Sequence, residues 1–208
     1  ILAPGGTKTV EAFLNFVDDG KVLVLFPSTQ SSSFRKHNLK HFIHFGLSYD
    51  EQGAILAHYA LKKMGAHKIV LFYQKDVPAI AAIESYFNKI GFKNYLNVVY
   101  ERDTVDFSLI VKRIMNFQPD TILFLATPVA AIELVRQLGV VYLSTKKLLG
   151  WSDLSSEKFR KEMVTRGLKI IVSSSVPNPE SDDLPITKEF RLAAAQKGLN
   201  IDTYSFKG

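Results

Sequence analysis

The sequence predicts an α/β fold, with parallel sheets covered by helices on both faces, and three observations predict it. Short apolar runs recur at 22–26, 42–45, 69–73, 95–100, 121–125, 147–151 and 169–173. From Ile69 onward they alternate with helical patterns and begin every ~20 to 30 residues, the length of a βαβ unit. The runs Ile-Val-Leu-Phe-Tyr and Thr-Ile-Leu-Phe-Leu are apolar on both faces, as strands buried inside a parallel sheet are.

The elements follow in order. Residues 1–3 form a short apolar strand that runs into Pro4-Gly5-Gly6-Thr7, and an amphipathic helix follows. The glycines let the backbone turn sharply and leave its N–H groups uncovered. A helix start carries unpaired donors and a partial positive charge, so this corner can hold a carboxylate or a phosphate. The strand at 22–26 leads into a polar loop, 28–40, before the strand at 42–45. Ser48 and Glu51 form a capping box that opens a helix running to Met64. Ile80, Ile83, Phe87 and Ile90 step by three and four residues, and so do Phe107, Ile110, Ile114 and Phe117. Each set is a single apolar stripe on a helix facing a sheet. Asp106 is the expected N-cap of the second helix. Gly65, Gly91, Gly139, Gly167 and Gly198 sit where helices should end, and Gln118-Pro119-Asp120 separates a helix from the next strand. Residues 173–185 leave the last strand as an extended, proline-rich segment. This segment and the 28–40 loop are candidates for crossovers or site loops.

Composition narrows the function. The chain has 208 residues, 47% of them hydrophobic and 22% charged, which suits one large globular domain or two small ones. No apolar run approaches the ~18 residues of a membrane span. No signal peptide is present, and the chain opens on a strand without a charged leader, so the true N-terminus is expected upstream. Cysteine is absent, which excludes disulfides, thiol catalysis and cysteine metal sites and fits an oxidising compartment. The net charge is +6, but the lysines are spread along helix faces and strand ends, which reads as a solvated basic surface rather than a nucleic-acid site. The five histidines, His37, His41, His44, His58 and His67, have no acidic partner at metal-ligand spacing and are assigned to surface or packing roles. No nucleophile elbow, phosphate-binding loop or dinucleotide fingerprint occurs, so no catalytic residue and no cofactor are expected.

The pieces G-G-T-K-T, V-L-F-P-S-T, F-R-K, H-F-G-L-S-Y-D-E-Q-G-A, K-I-V-L-F-Y-Q-K-D, D-F-S, P-D-T-I-L-F-L-A-T and L-L-G-W-S-D, in this order and spacing, resemble the type I periplasmic binding proteins. The branch is that of the leucine/isoleucine/valine-binding proteins of ABC importers. The resemblance implies two α/β lobes joined by crossover strands, with ligand in the cleft between them. Residues 1–47 are then part of lobe one, 48–176 lobe two, and 177–208 the return to lobe one. The first lobe is incomplete and should expose an apolar sheet edge.

The resemblance also implies the site. Gly6 and Thr7 give backbone N–H groups and a hydroxyl to a ligand carboxylate, and Ser28, Thr29 and Gln30 hold its carboxylate and ammonium. Ser31, Ser32 and Ser33 are read as solvated loop. On lobe two, Tyr73 and Asp76 end one strand, where Pro78 and Ala79 replace the family's usual aromatic and glycine. Thr127 ends the next strand. Asp153 is either the acid that meets the ligand's amino group or an N-cap for the helix from Ser156, and Trp151 is either cleft wall or core. The implied protein is a periplasmic solute-binding protein. It binds a small amino acid or similar polar molecule by hinge closure and delivers it to membrane permease subunits. A ligand-sensing domain of a regulator or receptor is the alternative, and a small α/β enzyme is a distant third.

Overall fold

The computed structural model describes residues 1–36 (of Lys36 the backbone alone), 39–75, 77, 79–180, 184–199 and 201. In chain order, α1 (Thr7–Glu11) and α2 (Leu14–Asp18) precede β1 (Val24–Leu25), α3 (Ser33–Lys36) and β2 (Phe42–Ile43). Then come α4 (Tyr49–Lys62), β3 (Ile69–Gln74), α5 (Ala79–Lys89), β4 (Tyr95–Tyr100), α6 (Ser108–Phe117) and β5 (Thr121–Leu125). The chain continues through α7 (Pro128–Leu138), α8 (Val140–Leu143), β6 (Lys147–Gly150), a 3-10 turn (Ser152–Ser155), α9 (Glu157–Thr165), β7 (Ile170–Val172) and α10 (Pro185–Gln196).

The strands form two parallel sheets. β1 pairs with β2, and Leu2 bridges to Leu25 on the other side of β1. The larger sheet has the order β4-β3-β5-β6-β7 with every pairing parallel. Its central strands are buried on both faces: Ile69 to Phe72 and Ile122 to Leu125 are fully covered. Phe72 is the centre of the aromatic packing, stacked on Tyr100 at 4.7 Å and edge-on to Phe107 at 5.4 Å. A separate small cluster of Val10, Val17, Val24, Phe34 and Phe42 lies under the two-stranded sheet. Ile43 of that sheet, and Phe26 and Phe45 just beyond its strands, are each between 43% and 46% exposed.

Several local expectations meet a different geometry. The helix after Thr7 is interrupted at Ala12–Phe13, where Phe13 N–H reaches back only to Val10 O. The turn tightens, yet Val10, Phe13, Leu14 and Val17 still share one apolar stripe. Among its described residues the 28–40 loop contains a single helical turn, α3. The capping box is present in full: Ser48 N–H donates to Glu51 Oε2 at 2.7 Å, and Glu51 N–H donates to Ser48 Oγ at 3.2 Å. The N-cap of α6 is Phe107 and not the expected Asp106, which sits one position farther out and accepts the Ser108 N–H at 2.9 Å. The chain adopts positive φ at all five glycines expected to end helices.

In α7, Glu133 accepts hydrogen bonds from Arg136 and Gln137, and these hold its pKa at about 2, well below the usual 4.5. Gln137 in turn receives the Phe107 N–H and donates to Val105 O, which ties α7 to the entry of α6. A carboxylate with a depressed folded pKa adds stability above its unfolded pKa and loses it as pH falls through the folded one. Stability measured by urea unfolding is therefore expected to decline between pH 4.5 and about 2, with a shallower decline in Glu133→Gln. Phe72→Ala should cost about 3–5 kcal/mol at unchanged m-value, against about 1 kcal/mol or less for the half-exposed Phe26→Ala.

Candidate functional site

Parallel strands share a direction, so the carboxyl ends of β3, β4, β5 and β6 open on one side of the large sheet. The chain leaves them as Gln74 and Lys75, Glu101 and Arg102, Ala126 and Thr127, and Trp151 to Asp153. Facing them are Gly6 and Thr7, which follow the Leu2 bridge, and Ser28 and Thr29, which follow β1. All of these residues but Ser152, which is buried, line one cleft of about 710 Å³.

The first wall is built of hydroxyls. Ser28 N–H donates to Pro4 O at 3.0 Å, which closes the 4–7 corner onto the 27–29 turn. Thr7 and Thr29 then share a hydroxyl–hydroxyl bond of 2.7 Å. Ser31 and Ser33 make a second such pair, also 2.7 Å, and both line the cleft. Ser31 is 2% exposed, which corrects the solvated reading for that residue, while Ser33 stays half-buried. α1 has only five residues, so the charge at its start is smaller than a long helix would supply.

The second wall mixes charge and hydroxyl. Thr127 Oγ1 accepts the Ala130 N–H at 3.4 Å as the N-cap of α7, and Pro128 fills the first helical position. Its own N–H points to the Tyr100 hydroxyl at 3.4 Å. Burial pushes the Tyr100 phenol up, the Thr127 bonds oppose this and the Asp153 charge adds to it, so the phenol stays protonated. Asp153 sits in the 3-10 turn. The cap of α9 is Ser156, whose Oγ accepts the Phe159 N–H, so Asp153 is not that helix's N-cap. Trp151 is 5% exposed, donates its Nε1–H to Ala126 O at 2.9 Å and packs on Tyr49 with ring centroids 4.5 Å apart. The two rings floor the cleft. At its rim, Lys8 pairs with Glu11 at 2.9 Å on one wall, and Lys75 with Glu101 at 2.8 Å on the other.

At the back of the cleft the chain passes from the small sheet to α4. Gly46 has φ +83, and a Cβ there would lie 2.8 Å from the Ser175 Cβ, so this connection touches the segment that leaves β7. Arg35 donates to Gly46 O at 2.6 Å and to Gln30 Oε1 at 3.3 Å, and Gln30 O accepts the Tyr49 N–H at 2.8 Å.

Of the residues expected from sequence, Gly6, Thr7, Ser28, Thr29, Thr127, Trp151 and Asp153 come together in the cleft. Gln30 does not line it and instead bonds Arg35 and the Tyr49 N–H, as above. Tyr73 does not line it either. It precedes Gln74 on the strand, so it faces the other way, against the core, where burial and the Glu84 charge raise its pKa. Asp76 lies outside the described residues. Lys8, Glu11, Tyr49, Glu101 and Arg102 line the cleft without having been anticipated. Lys8, Glu101 and Arg102 carry only the signal of a place just after a turn or strand end, and Glu11, at the end of α1, carries none. Among the described histidines, His44 packs on Phe42 at 4.7 Å, and burial lowers its pKa. No group of three or more metal-ligating side chains occurs among the described residues.

These features place the chain in a class. The model of the periplasmic binding protein family matches residues 1–202, and the chain belongs to that family. Its parallel sheets flanked by helices are those of the type I members. Among solved structures, it is similar to a leucine-binding protein, LivK, of Thermotoga maritima MSB8, with 18% identity and a TM-score of 0.82 over 100% of this chain and 59% of that one. It is similar to a possible leucine/isoleucine/valine-binding protein of Rhodopirellula baltica SH 1, with 21% identity and a TM-score of 0.81 over 99% of this chain and 58% of that one. It is also similar to an ABC-transporter solute-binding protein of Rhodopseudomonas palustris HaA2, crystallised with p-hydroxybenzoic acid, with 21% identity and a TM-score of 0.80 over 97% and 56%. The chain thus spans less than two-thirds of the length of each. Among curated proteins, none matches it.

Gly46→Ala should destabilise the chain by about 1–3 kcal/mol, since it adds both a strained φ and a clash with Ser175. Chemical denaturation reads the loss. Ala at the exposed, uncrowded Gly65, also at positive φ, should cost less.

Proposed function

We propose that the chain binds a small amino acid or similar polar carboxylate between its two sheets, as part of the solute-binding protein of an ABC importer. One observation carries the reading. A wall of neutral hydroxyls and the Gly6–Thr7 backbone faces a wall bearing Asp153 across a single cleft. Hydroxyls and N–H groups suit a carboxylate, and an acid opposite suits an ammonium. The names of two structural relatives point to carboxylic acids, leucine in one and p-hydroxybenzoic acid in the other.

In this reading, residues 1–47 belong to one lobe and 48–176 to the other, and residues 177–208 return to the first. Ligand docks on Thr7, Ser28 and Thr29, and closure brings Thr127 and Asp153 to it. Closure follows only if the ligand contacts the closed state better than the open one. Permease subunits are then the partners, and the chain works outside the cytoplasm. Among the described residues, no helix is long and apolar enough to cross a membrane. The role is capture, not turnover.

A thermal-shift screen of the twenty amino acids and small carboxylic acids tests this. A true ligand at a hundredfold excess over its Kd adds about 2.7 kcal/mol of stability. Binding should also change the emission of Trp151, the chain's one tryptophan. Asp153→Asn is expected to weaken amino-bearing ligands about ten- to a hundredfold and to leave plain carboxylic acids nearly unaffected. Equal loss for both classes, read by calorimetry, removes Asp153 from the ammonium site.

A further inference from the structure

Gln52, on α4, is 1% exposed and lies where both sheet connections meet the cleft floor. Its amide bonds three segments. Nε2 donates to Leu47 O at 3.0 Å, on the connection from β2. Oε1 accepts the Ser152 N–H at 3.1 Å, at the start of the turn that carries Asp153. The same oxygen accepts the Ser173 hydroxyl at 3.1 Å, on the chain leaving β7. These partners are 5, 100 and 121 residues away in sequence.

The helix that presents Gln52 has little freedom. A Cβ on Gly53 would meet Ala79 and Ile83 at 3.1 Å, so α4 is pressed against α5. Ser152 is 2% exposed and has no access to bulk water as a substitute partner. A side chain that only filled space here would be apolar. An amide in a dry site is kept for its bonds, and losing them leaves an N–H and a carbonyl unpaired.

We propose that Gln52 is a positioning residue for the cleft. It ties the Ser152–Asp153 turn to both connections, so the place of Asp153 and the set of those connections change together. The ligand-binding role of Asp153 rests on the function proposed above. The clasp itself does not, and it is tested without ligand.

The experiment is amide hydrogen exchange on the full chain as wild type, Gln52→Met and Gln52→Glu, with Trp151 emission recorded alongside. Methionine keeps the volume and removes all three bonds. Glutamate, read at a pH where it is ionised, keeps an acceptor for Ser152 and Ser173 and loses the donation to Leu47. For Gln52→Met, exchange at 151–155 and 173–175 should accelerate about tenfold more than at β3 and β5, and Trp151 emission should shift to the red. For Gln52→Glu, protection at 151–155 should stay close to wild type while exchange at 45–48 accelerates. Uniform acceleration that includes β3 and β5 would show a general stability role and overturn the proposal, and so would an unchanged pattern in both variants. If Gln52→Met fails to fold, Gln52→Glu decides alone by the same contrast between 151–155 and 45–48. A failed ligand screen with the expected exchange pattern removes the binding reading and leaves the clasp, and a successful screen with uniform exchange does the reverse.

Discussion

Parallel pairing is the constraint on which the rest depends. Five strands that all run the same way must be joined by crossovers, and the crossovers must cover both faces with helices. Every strand then delivers its carboxyl end, and the turn after it, to the same edge of the sheet. Gln74, Glu101, Thr127 and Asp153 come from four separate strand ends, yet they line one cleft for this reason alone. The buried run Ile69 to Phe72 and its neighbour Ile122 to Leu125 supply the apolar burial that keeps the arrangement rigid. The chemistry therefore sits on loops, and the strands behind them do not have to change when the loops do.

The two walls differ in how they are held. The first depends on small polar contacts: Thr7 with Thr29, Ser31 with Ser33, Ser28 with Pro4. Its apolar support is the short cluster around Val10 and Phe42, much smaller than the core of the large sheet. The second wall stands on that large core, with Tyr100 packed on Phe72 and Trp151 on Tyr49. The weaker wall carries the hydroxyls and the stronger one carries Asp153, so each kind of contact has its own foundation.

Much of the fold was legible because its signals are local. Continuous apolar runs marked all seven strands found among the described residues to within a few positions, and Ser48 with Glu51 marked the start of α4. The two strands of the small sheet came out shorter than their apolar runs, and β1 ends where Phe26 leaves the extended region with φ +51. The site was only partly legible. Thr7, Ser28, Thr29, Thr127, Trp151 and Asp153 could be named from the family resemblance, and they line the cleft. Ser31, Gln52 and Arg35 could not. Their burial or bonding is decided by the way the loop into α3 folds, and by partners as distant as Ser173, 121 residues from Gln52. Tyr73 and Gln74 show the limit in miniature, as adjacent residues on one strand whose side chains go to opposite faces.

The contact of Gly46 with Ser175 has a consequence for the sequence itself. Two segments that touch with no room for a methyl group between them reserve this position for a residue without a Cβ, so the crossing of the two connections restricts what the chain can carry there far more tightly than an open turn does.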